Sequence, residues 1–267
     1  MSKRAIVIGG SGFLGSHVAD ILSSKGYEVT VFDQSPSPYL RHNQTMVVGN
    51  ILDIKKVKNA LMGQDVVFHF AGLANLDQAS ARPLEAVNQN IVGTVHLLNA
   101  AVEAKVRRFV FASTIYVYSD YGGIYKTTKQ SGELLTETFH KEKKLNFTIL
   151  RFGSLYGPRA NKFNFVYQVI NQAITKGKIQ RKGSGNEIRE YIHVNDAANA
   201  CLTALSQQYQ NKYLMITGSQ RVKIKDLLDM INEIMNNKIK IEYLKERNEG
   251  HYESSPYNFK PRIAKKL

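Results

Sequence analysis

A tyrosine and a lysine four residues apart, Tyr125 and Lys129, are suited to proton transfer. On a helix, residues at i and i+4 share one face, so the phenol and the ammonium would lie side by side. A neighbouring cation stabilises phenolate, and we expect it to lower the pKa of Tyr125 below the ordinary value of about 10. The pair could then remove a hydroxyl proton while hydride leaves the same carbon. The spacing also arises by chance in a chain with 14 tyrosines.

Two hydroxyl side chains, Ser113 and Thr114, follow the apolar run 107–112, which is typical of a strand. Open α/β sheets carry their sites at the carboxyl ends of the strands. A hydroxyl there could hold a substrate oxygen beside Tyr125. The simpler interpretation is a hydroxyl pair that only ends a strand.

A second candidate site lies near the start of the chain, where Gly9, Gly12 and Gly15 connect an apolar run to an amphipathic stretch. A side chain in such a loop would block the turn, the approach of the backbone to a pyrophosphate and the contact between helix and strand. The N-terminus of the helix adds free N–H groups for phosphate oxygens. The pattern predicts a dinucleotide site; the alternative is a glycine turn with no ligand.

The residue that selects the dinucleotide is Asp33, which ends the next apolar run 18 residues after Gly15. Its carboxylate can accept hydrogen bonds from a ribose 2′-OH and would repel a 2′-phosphate. No arginine follows until Arg41. The sequence therefore favours NAD over NADP.

Short apolar runs alternate with amphipathic stretches along the chain, and these elements must position the candidate residues. The runs lack alternation of polar and apolar residues, as expected for parallel strands that are covered on both faces. This order predicts an α/β fold with a doubly wound parallel sheet. The predicted strands are 5–8, 28–32, 45–48, 66–71, 108–112, 147–152 and 213–216, and the predicted helices are 13–25, 83–104, 126–143 and 195–208.

The rhythm changes near residue 155, where turn residues follow and the apolar runs become widely spaced. We expect residues 1–155 to form the NAD-binding domain, with a returning strand near 213–217. Residues 156–267 would form mainly a smaller C-terminal substrate-binding lobe. Its helices are expected at 163–175 and 224–236, followed by a polar tail from Arg247.

Composition excludes several classes of protein. A chain of 267 residues with 43% hydrophobic composition can bury a substantial core. The lone Cys201 cannot form an internal disulfide, and no apolar segment reaches the length of a membrane span, so we expect a cytoplasmic location. The net charge of +14 is spread along the chain, which favours a solvated surface over a nucleic-acid interface.

In order along the chain, these residues resemble the extended short-chain dehydrogenase/reductases, in the branch of NAD-dependent nucleotide-sugar epimerases and dehydratases. The resemblance also implies the Rossmann-like form of the predicted sheet. The matching segments are 9–15, Asp33, Asp53, 69–72, 90–94, Ser113 and Thr114, Tyr125 with Lys129, 150–159 and 189–196.

The resemblance assigns roles to individual residues. Thr114 is the catalytic hydroxyl, Tyr125 the base, and Lys129 also a contact to the nicotinamide ribose. Substrate contacts are implied for Ser113, Ser154 and Arg189, the last to the diphosphate, although Arg189 could simply pair with Glu187 or Glu190. The predicted cofactor contacts are Gly9, Gly12, Phe13, Leu14, Gly15, Asp33, Asp53, Ile54, Ala71, Gly72 and Lys129. No metal is expected.

The sequence departs from the family pattern directly after Thr114. Sugar 4,6-dehydratases of this family carry an Asp-Glu pair there, and the related decarboxylases usually carry a glutamate. Ile115 and Tyr116 occupy these positions here. Neither supplies that acid and base, so dehydration and decarboxylation are disfavoured. Ser154 also stands where many relatives have a substrate-binding Asn.

We therefore expect an NAD-dependent enzyme that oxidises C4 of a nucleotide-diphosphate sugar to a 4-keto intermediate. Return of the hydride to the other face makes it an epimerase, and release of the ketone makes it a dehydrogenase; the sequence leaves both open. The alternatives are a 4,6-dehydratase, an NADP-linked reductase of the same fold, and a non-catalytic NAD-binding module. The resemblance further implies a homodimer built on the helices at 83–104 and 126–143.

Overall fold

The computed structural model describes residues 3–244 and 251–257. Its strands agree with the predicted apolar runs to within a few residues, and the lobe adds several short strands. In chain order the strands are β1 (Lys3–Ile8), β2 (Tyr27–Asp33), β3 (Gln44–Val48), β4 (Val66–His69), β5 (Arg108–Thr114), β6 (Phe147–Phe152), β7 (Ser154–Tyr156), β8 (Lys178–Lys182), β9 (Ile188–Arg189), β10 (Tyr191–His193), β11 (Lys212–Ile216), β12 (Val222–Lys223) and β13 (Lys240–Leu244).

Seven of these strands form one parallel sheet in the order β3-β2-β1-β4-β5-β6-β11. The chain winds outward from β1 in one direction and then crosses to β4 and winds outward in the other. The predicted doubly wound, Rossmann-like α/β fold is confirmed. The carboxyl ends of β1 and β5 therefore lie at the same edge of the sheet, which brings Gly9 and Thr114 to one side of the molecule.

The helices follow the predicted amphipathic stretches, except that the stretch at 83–104 is not one regular helix. It contains a π-helical turn, Asn88–Val92, between two α-helices. The helices are α1 (Phe13–Ser24), α2 (Ile54–Leu61), α3 (Leu76–Ala81), α4 (Pro83–Val87), α5 (Gly93–Glu103), α6 (Gly123–Lys143), α7 (Phe165–Lys176), α8 (Val194–Thr203) and α9 (Ile224–Ile234).

Both faces of the sheet are covered. On one face α1 and α8 pack against each other and against β1, β5 and β6, in a core that contains Val7, Val110 and Cys201. On the other face α2, α5 and α6 cover a core that contains Ile8, Phe109 and Leu97. A separate core, with Val169, Leu228 and Ile239, joins α7 and α9 to β8 and β13.

After residue 155 the chain returns to the main sheet. Strand β11 pairs in parallel with β6, and α8 packs on α1, so residues 194–216 belong to the main sheet layer. The lobe is formed by α7, α9 and short strands, among them the parallel pair β8 and β13. The boundary between 1–155 and 156–267 stays a prediction. Within the described residues, no helix combines the length and apolarity needed to span a bilayer.

The glycine loop leaves no room for side chains at two of its positions. Gly9 has φ +83°, a conformation that favours glycine, and a Cβ there would lie 2.6 Å from the backbone nitrogen of Ala71. A Cβ on Gly15 would lie 2.2 Å from the carbonyl oxygen of Gly9. Helix α1 therefore approaches the end of β1 as closely as its backbone allows.

Substitution of Gly15 by alanine tests this contact. Gly15→Ala should destabilise the protein by about 3 kcal/mol, because the clash with the Gly9 carbonyl outweighs the better helix propensity of alanine. Urea unfolding followed by circular dichroism measures the change. Gly12→Ala is the matched control, since its Cβ would lie 3.2 Å from the same oxygen at φ −79°, and it should stay within about 1 kcal/mol of the parent. Equal losses in the two variants would contradict the close approach of α1.

Candidate active site

A groove runs along the carboxyl edge of the sheet above β1, β2 and β4. Five of the predicted cofactor contacts line it: Gly9, Gly12, Asp33, Ala71 and Gly72. The remaining lining residues were not predicted from the sequence, although most of them lie at or just after the ends of β2, β3 and β4. They are Phe32, Gln34, Gly49, Ile51, Phe70, Leu73, Glu85 and Gln89.

The residues at the head of the groove fit a dinucleotide. Gly12 is the N-cap of α1 and offers no capping side chain, which leaves the first-turn N–H groups of Phe13, Leu14 and Gly15 for phosphate oxygens. The carboxylate of Asp33 accepts hydrogen bonds from the backbone N–H groups of Ser11, at 3.0 Å, and Ser35, at 3.4 Å. These bonds hold Asp33 in the wall of the groove, and its contact to a ribose stays a prediction.

Arg41, the first arginine after Asp33, is engaged elsewhere. It forms an ion pair with Asp20, with 2.7 Å between Nε and Oδ1. Arg159 binds the same carboxylate at 2.8 Å, and together the two guanidinium groups lower the pKa of Asp20 against the opposing effect of burial. The arrangement agrees with NAD as the ligand, because Arg41 is tied to α1 rather than turned toward a 2′-phosphate.

Asp53 and Ile54 remain predictions as adenine contacts. Asp53 is the N-cap of α2, and its carboxylate accepts a hydrogen bond from the backbone N–H of Lys56 at 3.1 Å. Ile54 is 47% exposed at the first turn of that helix. The residues of this region that line the groove are Gly49 and Ile51.

Thr114, Tyr125 and Lys129 come together at the carboxyl end of β5, as predicted. Thr114 ends β5, and its hydroxyl is hydrogen-bonded to the phenol of Tyr125 in the first turn of α6. Lys129 lies one turn further along α6, with Nζ 6.0 Å from the centre of the Tyr125 ring. Successive strand residues point to opposite faces, so Ser113 turns away from Thr114. Its buried hydroxyl has no hydrogen-bond partner among the described residues.

Lys129 is held inside the protein. Its Nζ donates a hydrogen bond to the carbonyl oxygen of Ala112 at 2.8 Å and lies 5.1 Å from the centre of the Phe111 ring. Burial lowers the pKa of Lys129 to about 8, and the nearby Glu133 carboxylate acts in the opposite direction. Burying the charged ammonium of Lys129 therefore lowers the free energy of unfolding.

The expected pKa of Tyr125 is wrong for the free protein. Burial raises this pKa to about 12, and the hydrogen bond from Thr114 lowers it only in part. Lys129 is not among the groups that shift this pKa, and its ammonium is bound to the Ala112 carbonyl. Spacing on a helix predicted that the two residues are neighbours, but it did not predict their desolvation.

The π-helical turn after α4 connects the two halves of the site. It contains the buried Asn90, whose side-chain oxygen accepts from the backbone N–H of Leu73 at 2.7 Å. The amide nitrogen of Asn90 donates to the hydroxyl of Thr128 on α6 at 2.9 Å. A Cβ on Gly72 would lie 2.5 Å from the Asn90 oxygen. One amide therefore fixes the groove wall relative to the helix that carries Tyr125 and Lys129.

Two of the predicted substrate contacts, Arg189 and Ser154, lie next to Tyr252. Arg189 is buried in β9, where Nη1 donates to the carbonyl oxygen of Ile188 at 2.8 Å. Its guanidinium stacks 4.1 Å from the centre of the Tyr252 ring. The two acidic residues that were the alternative partners of Arg189 pair with other arginines. Glu187 accepts a hydrogen bond from Arg181 at 3.0 Å, and the Glu190 carboxylate lies 4.0 Å from the Arg221 guanidinium. Ser154 lies next to Tyr252, where its hydroxyl lowers the pKa of the phenol against the larger, opposite effect of burial.

The segment 251–257 is a further part of the site that the sequence did not predict. Tyr252 is 4% exposed and its ring packs against the ring of Tyr116 at an angle of 55°, with 4.8 Å between the ring centres. The hydroxyl of Tyr116 shares a hydrogen bond of 2.7 Å with Nδ1 of His251. Polar tail composition gave no signal for this contact. His193, which the sequence left out of the site, is the N-cap of α8, where Nδ1 accepts from the backbone N–H of Asn195.

Residues 5–215 match the model of the family described as "NAD dependent epimerase/dehydratase family". The chain belongs to this family. The prediction of an extended short-chain dehydrogenase/reductase that uses NAD is therefore confirmed. The match covers every candidate residue from the glycine loop to Arg189.

Individual members act on nucleotide sugars. A UDP-N-acetyl-alpha-D-glucosaminuronate decarboxylase of Bacillus cytotoxicus is 28% identical, over 90% of this chain and 83% of its own length. The UDP-glucose 4-epimerase of Thermotoga maritima, solved with UDP-glucose, superposes with a TM-score of 0.88 at 26% identity, over 96% of this chain and 90% of its own. MoeE5, solved with UDP-glucose and NAD, superposes with a TM-score of 0.86 at 25% identity, over 96% of this chain and 89% of its own.

The cost of the buried ammonium can be measured. A depression of the Lys129 pKa from 10.5 to about 8 corresponds to roughly 3 kcal/mol at neutral pH. Lys129→Met should therefore be more stable than the parent at pH 7 by about 1–2 kcal/mol, after loss of the hydrogen bond to Ala112.

The pH dependence of this difference follows from the direction of the shift. The folded protein releases the Lys129 proton from about pH 8, whereas the unfolded chain keeps it up to 10.5, so the parent gains stability across this window and the gap to Lys129→Met closes. Denaturant unfolding at several pH values measures the gap. Lys143→Met, at the exposed end of α6, should show no such narrowing. If the difference in unfolding free energy between Lys129→Met and the parent is absent at pH 7, or does not change with pH, the destabilisation assigned to the buried Lys129 ammonium is contradicted.

Proposed function

We propose that the protein is an NAD-dependent nucleotide-sugar 4-epimerase. The observation that carries the proposal is the assembly of Thr114, Tyr125 and Lys129 at the open end of β5, beside the groove that begins at Gly9. The reaction needs a base for the C4 hydroxyl next to a hydride acceptor, and these residues supply the base. NAD, when bound, accepts the C4 hydride and can return it.

Each residue of this centre has a distinct task in the proposal. Tyr125 removes the proton from the C4 hydroxyl, and Thr114 holds the phenol and the sugar oxygen in line. Lys129 holds the nicotinamide ribose and supplies positive charge next to Tyr125. Because burial raises the pKa of Tyr125 to about 12 in the free protein, phenolate is scarce until the site is filled.

The remaining predicted contacts support a nucleotide-diphosphate sugar as substrate. Arg189 offers a planar, buried guanidinium suited to phosphate oxygens. Ser154 lies beside Tyr252 at the sugar end, whereas Ser113, whose buried hydroxyl turns away from Thr114, stays a prediction. Of these contacts, Arg189 belongs to residues 156–267, the predicted substrate-binding lobe.

Epimerisation is favoured over elimination or decarboxylation by the residues after Thr114. Ile115 is 1% exposed and apolar, and the pKa of Tyr116 is raised by burial, so neither replaces a carboxylic acid. The Bacillus cytotoxicus relative is named a decarboxylase, whereas the Thermotoga maritima structure is a 4-epimerase. A net C4 dehydrogenase differs from an epimerase only in release of the ketone, and the experiment below separates the two.

The function is tested with a panel of UDP-sugars that includes UDP-glucose and UDP-glucuronic acid. We expect inversion at C4, seen by NMR of the product, without net accumulation of NADH absorbance. Tyr125→Phe should lower kcat by at least about a thousandfold while NAD affinity stays within about twofold, because the phenol oxygen acts only in proton transfer. Stoichiometric NADH would assign a dehydrogenase, and near-normal turnover by Tyr125→Phe would refute the base.

We also propose a homodimer in the cytoplasm. The support for the dimer is an apolar surface on α4 and α6, the helices predicted for this contact. Leu84 on α4 is 73% exposed and Leu134 on α6 is 63% exposed, and the two helices pack side by side. A second copy of the chain that places the same surface against this one would cover both leucines.

Light scattering measures the assembly. The parent should elute as a dimer, and Leu134→Lys should elute as a monomer, because a buried unpaired charge opposes association. Ile234→Lys, in which a 79% exposed residue of α9 is changed, is the matched control and should remain dimeric. A parent that is monomeric, or a Leu134→Lys variant that is dimeric, contradicts the proposed surface.

A further inference from the structure

The segment 251–257 lies across the sugar side of the site and is fixed to several elements. The backbone N–H of Ile188 in β9 donates to the carbonyl oxygen of Glu253 at 2.7 Å. Arg221 donates to the hydroxyl of Ser254 at 2.7 Å. Tyr252 is buried between Arg189 and Tyr116. These contacts hold His251 at the end of the segment that faces α6.

Tyr116 connects this segment to the reacting residues. Its backbone N–H donates to the hydroxyl of Thr114 at 3.3 Å. Its ring meets the ring of Tyr125 edge to face, with 6.4 Å between centres and an interplanar angle of 77°. Its hydroxyl shares the bond with Nδ1 of His251, which is 135 residues away in the chain. Tyr116 thus touches both hydroxyl-bearing residues of the centre and the segment that covers it.

The ring of Tyr116 can occupy this place only because the loop before α6 leaves space. Gly122 has φ +96°, and a Cβ there would lie 2.7 Å from the Tyr116 ring. On its other side the ring meets Tyr252. The ring is therefore confined on two sides, and the bond to His251 fixes its hydroxyl end.

The groups around His251 favour its neutral form. Burial lowers its pKa, as do the cations Arg189 and Arg181, whereas Asp77 on α3 and Glu187 act in the opposite direction. A neutral imidazole can exchange a hydrogen bond with a neutral phenol at Nδ1. The hydrogen bond between Tyr116 and His251 can therefore form without burying an imidazolium or a phenolate.

We propose that the Tyr116–His251 hydrogen bond is a positioning device for the base: it fixes the ring against which Tyr125 packs, and it forms only when the segment 251–257 lies across the site. Tyr116 and His251 are positioning residues that act through Tyr125. The inference rests on the proposed function for its kinetic readout. It adds that the C-terminal segment, and not β5 and α6 alone, determines the geometry of proton transfer.

The kinetic test uses the full chain with NAD and the UDP-sugar that it epimerises. Tyr116→Phe and His251→Ala should each lower kcat by about tenfold, the equivalent of one hydrogen bond, with KM and NAD affinity within about twofold. The double variant should be no slower than either single variant, because both remove the same bond. His251→Asn should recover most of kcat, since its amide oxygen can accept from the phenol.

Tyr121→Phe is the control for loss of a phenol near the site. Tyr121 lies in the same loop and is 46% exposed, and this variant should retain the kcat of the parent. Losses that add in the double variant, losses confined to KM, or unchanged kcat in both single variants would overturn the proposal. So would a failure of His251→Asn to recover activity when His251→Ala has lost it.

A spectroscopic readout separates this inference from the proposed function. In protein with 13C-labelled tyrosine rings and bound NAD, the Tyr125 signal is identified by its loss in Tyr125→Phe. That signal should shift in Tyr116→Phe and His251→Ala and return in His251→Asn, whether or not any sugar is turned over. A Tyr125 signal that is identical in the parent and in His251→Ala would refute the positioning role, even if the protein proves to be an epimerase.

Discussion

The close packing of α6 against β5 is the constraint on which the site depends. Gly132 lies in the middle of α6, and a Cβ there would lie 2.3 Å from the ring of Phe111 on β5. This approach brings the Lys129 ammonium to the Ala112 carbonyl and the Tyr125 phenol to Thr114. If α6 lay one side chain's width further from β5, neither Lys129 and Ala112 nor Tyr125 and Thr114 would be in contact. At the next residue of α6, the buried ion pair between Glu133 and Arg151 ties the helix to β6.

The same packing leaves the protein with groups that it would be more stable without. A buried ammonium with a pKa of about 8 and a buried phenol with a pKa of about 12 are both desolvated on folding. The two apolar cores on the faces of the sheet offset this cost, since they contain most of the buried hydrophobic side chains among the described residues. Such a desolvation cost is expected at a site whose ionisable groups must respond to a bound ligand.

Most of the fold follows from patterns that are local in the sequence. Continuous apolar runs predicted the parallel strands, and the glycine loop with Asp33 predicted the nucleotide groove, because turn geometry and helix N-termini depend on a few adjacent residues. The placement of Tyr125 beside Thr114 also followed, since the carboxyl ends of the strands lie together. The π-helical turn at Asn88–Val92 was not predictable, because the side-chain bonds of Asn90 that accompany it are tertiary contacts. The raised pKa of Tyr125 and the contact of His251 with Tyr116 depend likewise on burial by distant parts of the chain.

The two halves of the site are encoded far apart. Among the described residues, the lining of the nucleotide groove lies between Gly9 and Gln89, whereas the sugar side includes Arg189 and is covered by Tyr252. A chain made from its N-terminus therefore presents these groove residues at the ribosome exit before Lys129, and long before the residues that cover the sugar side are translated. Synthesis itself thus produces the lining of the dinucleotide groove ahead of the residues that cover a sugar.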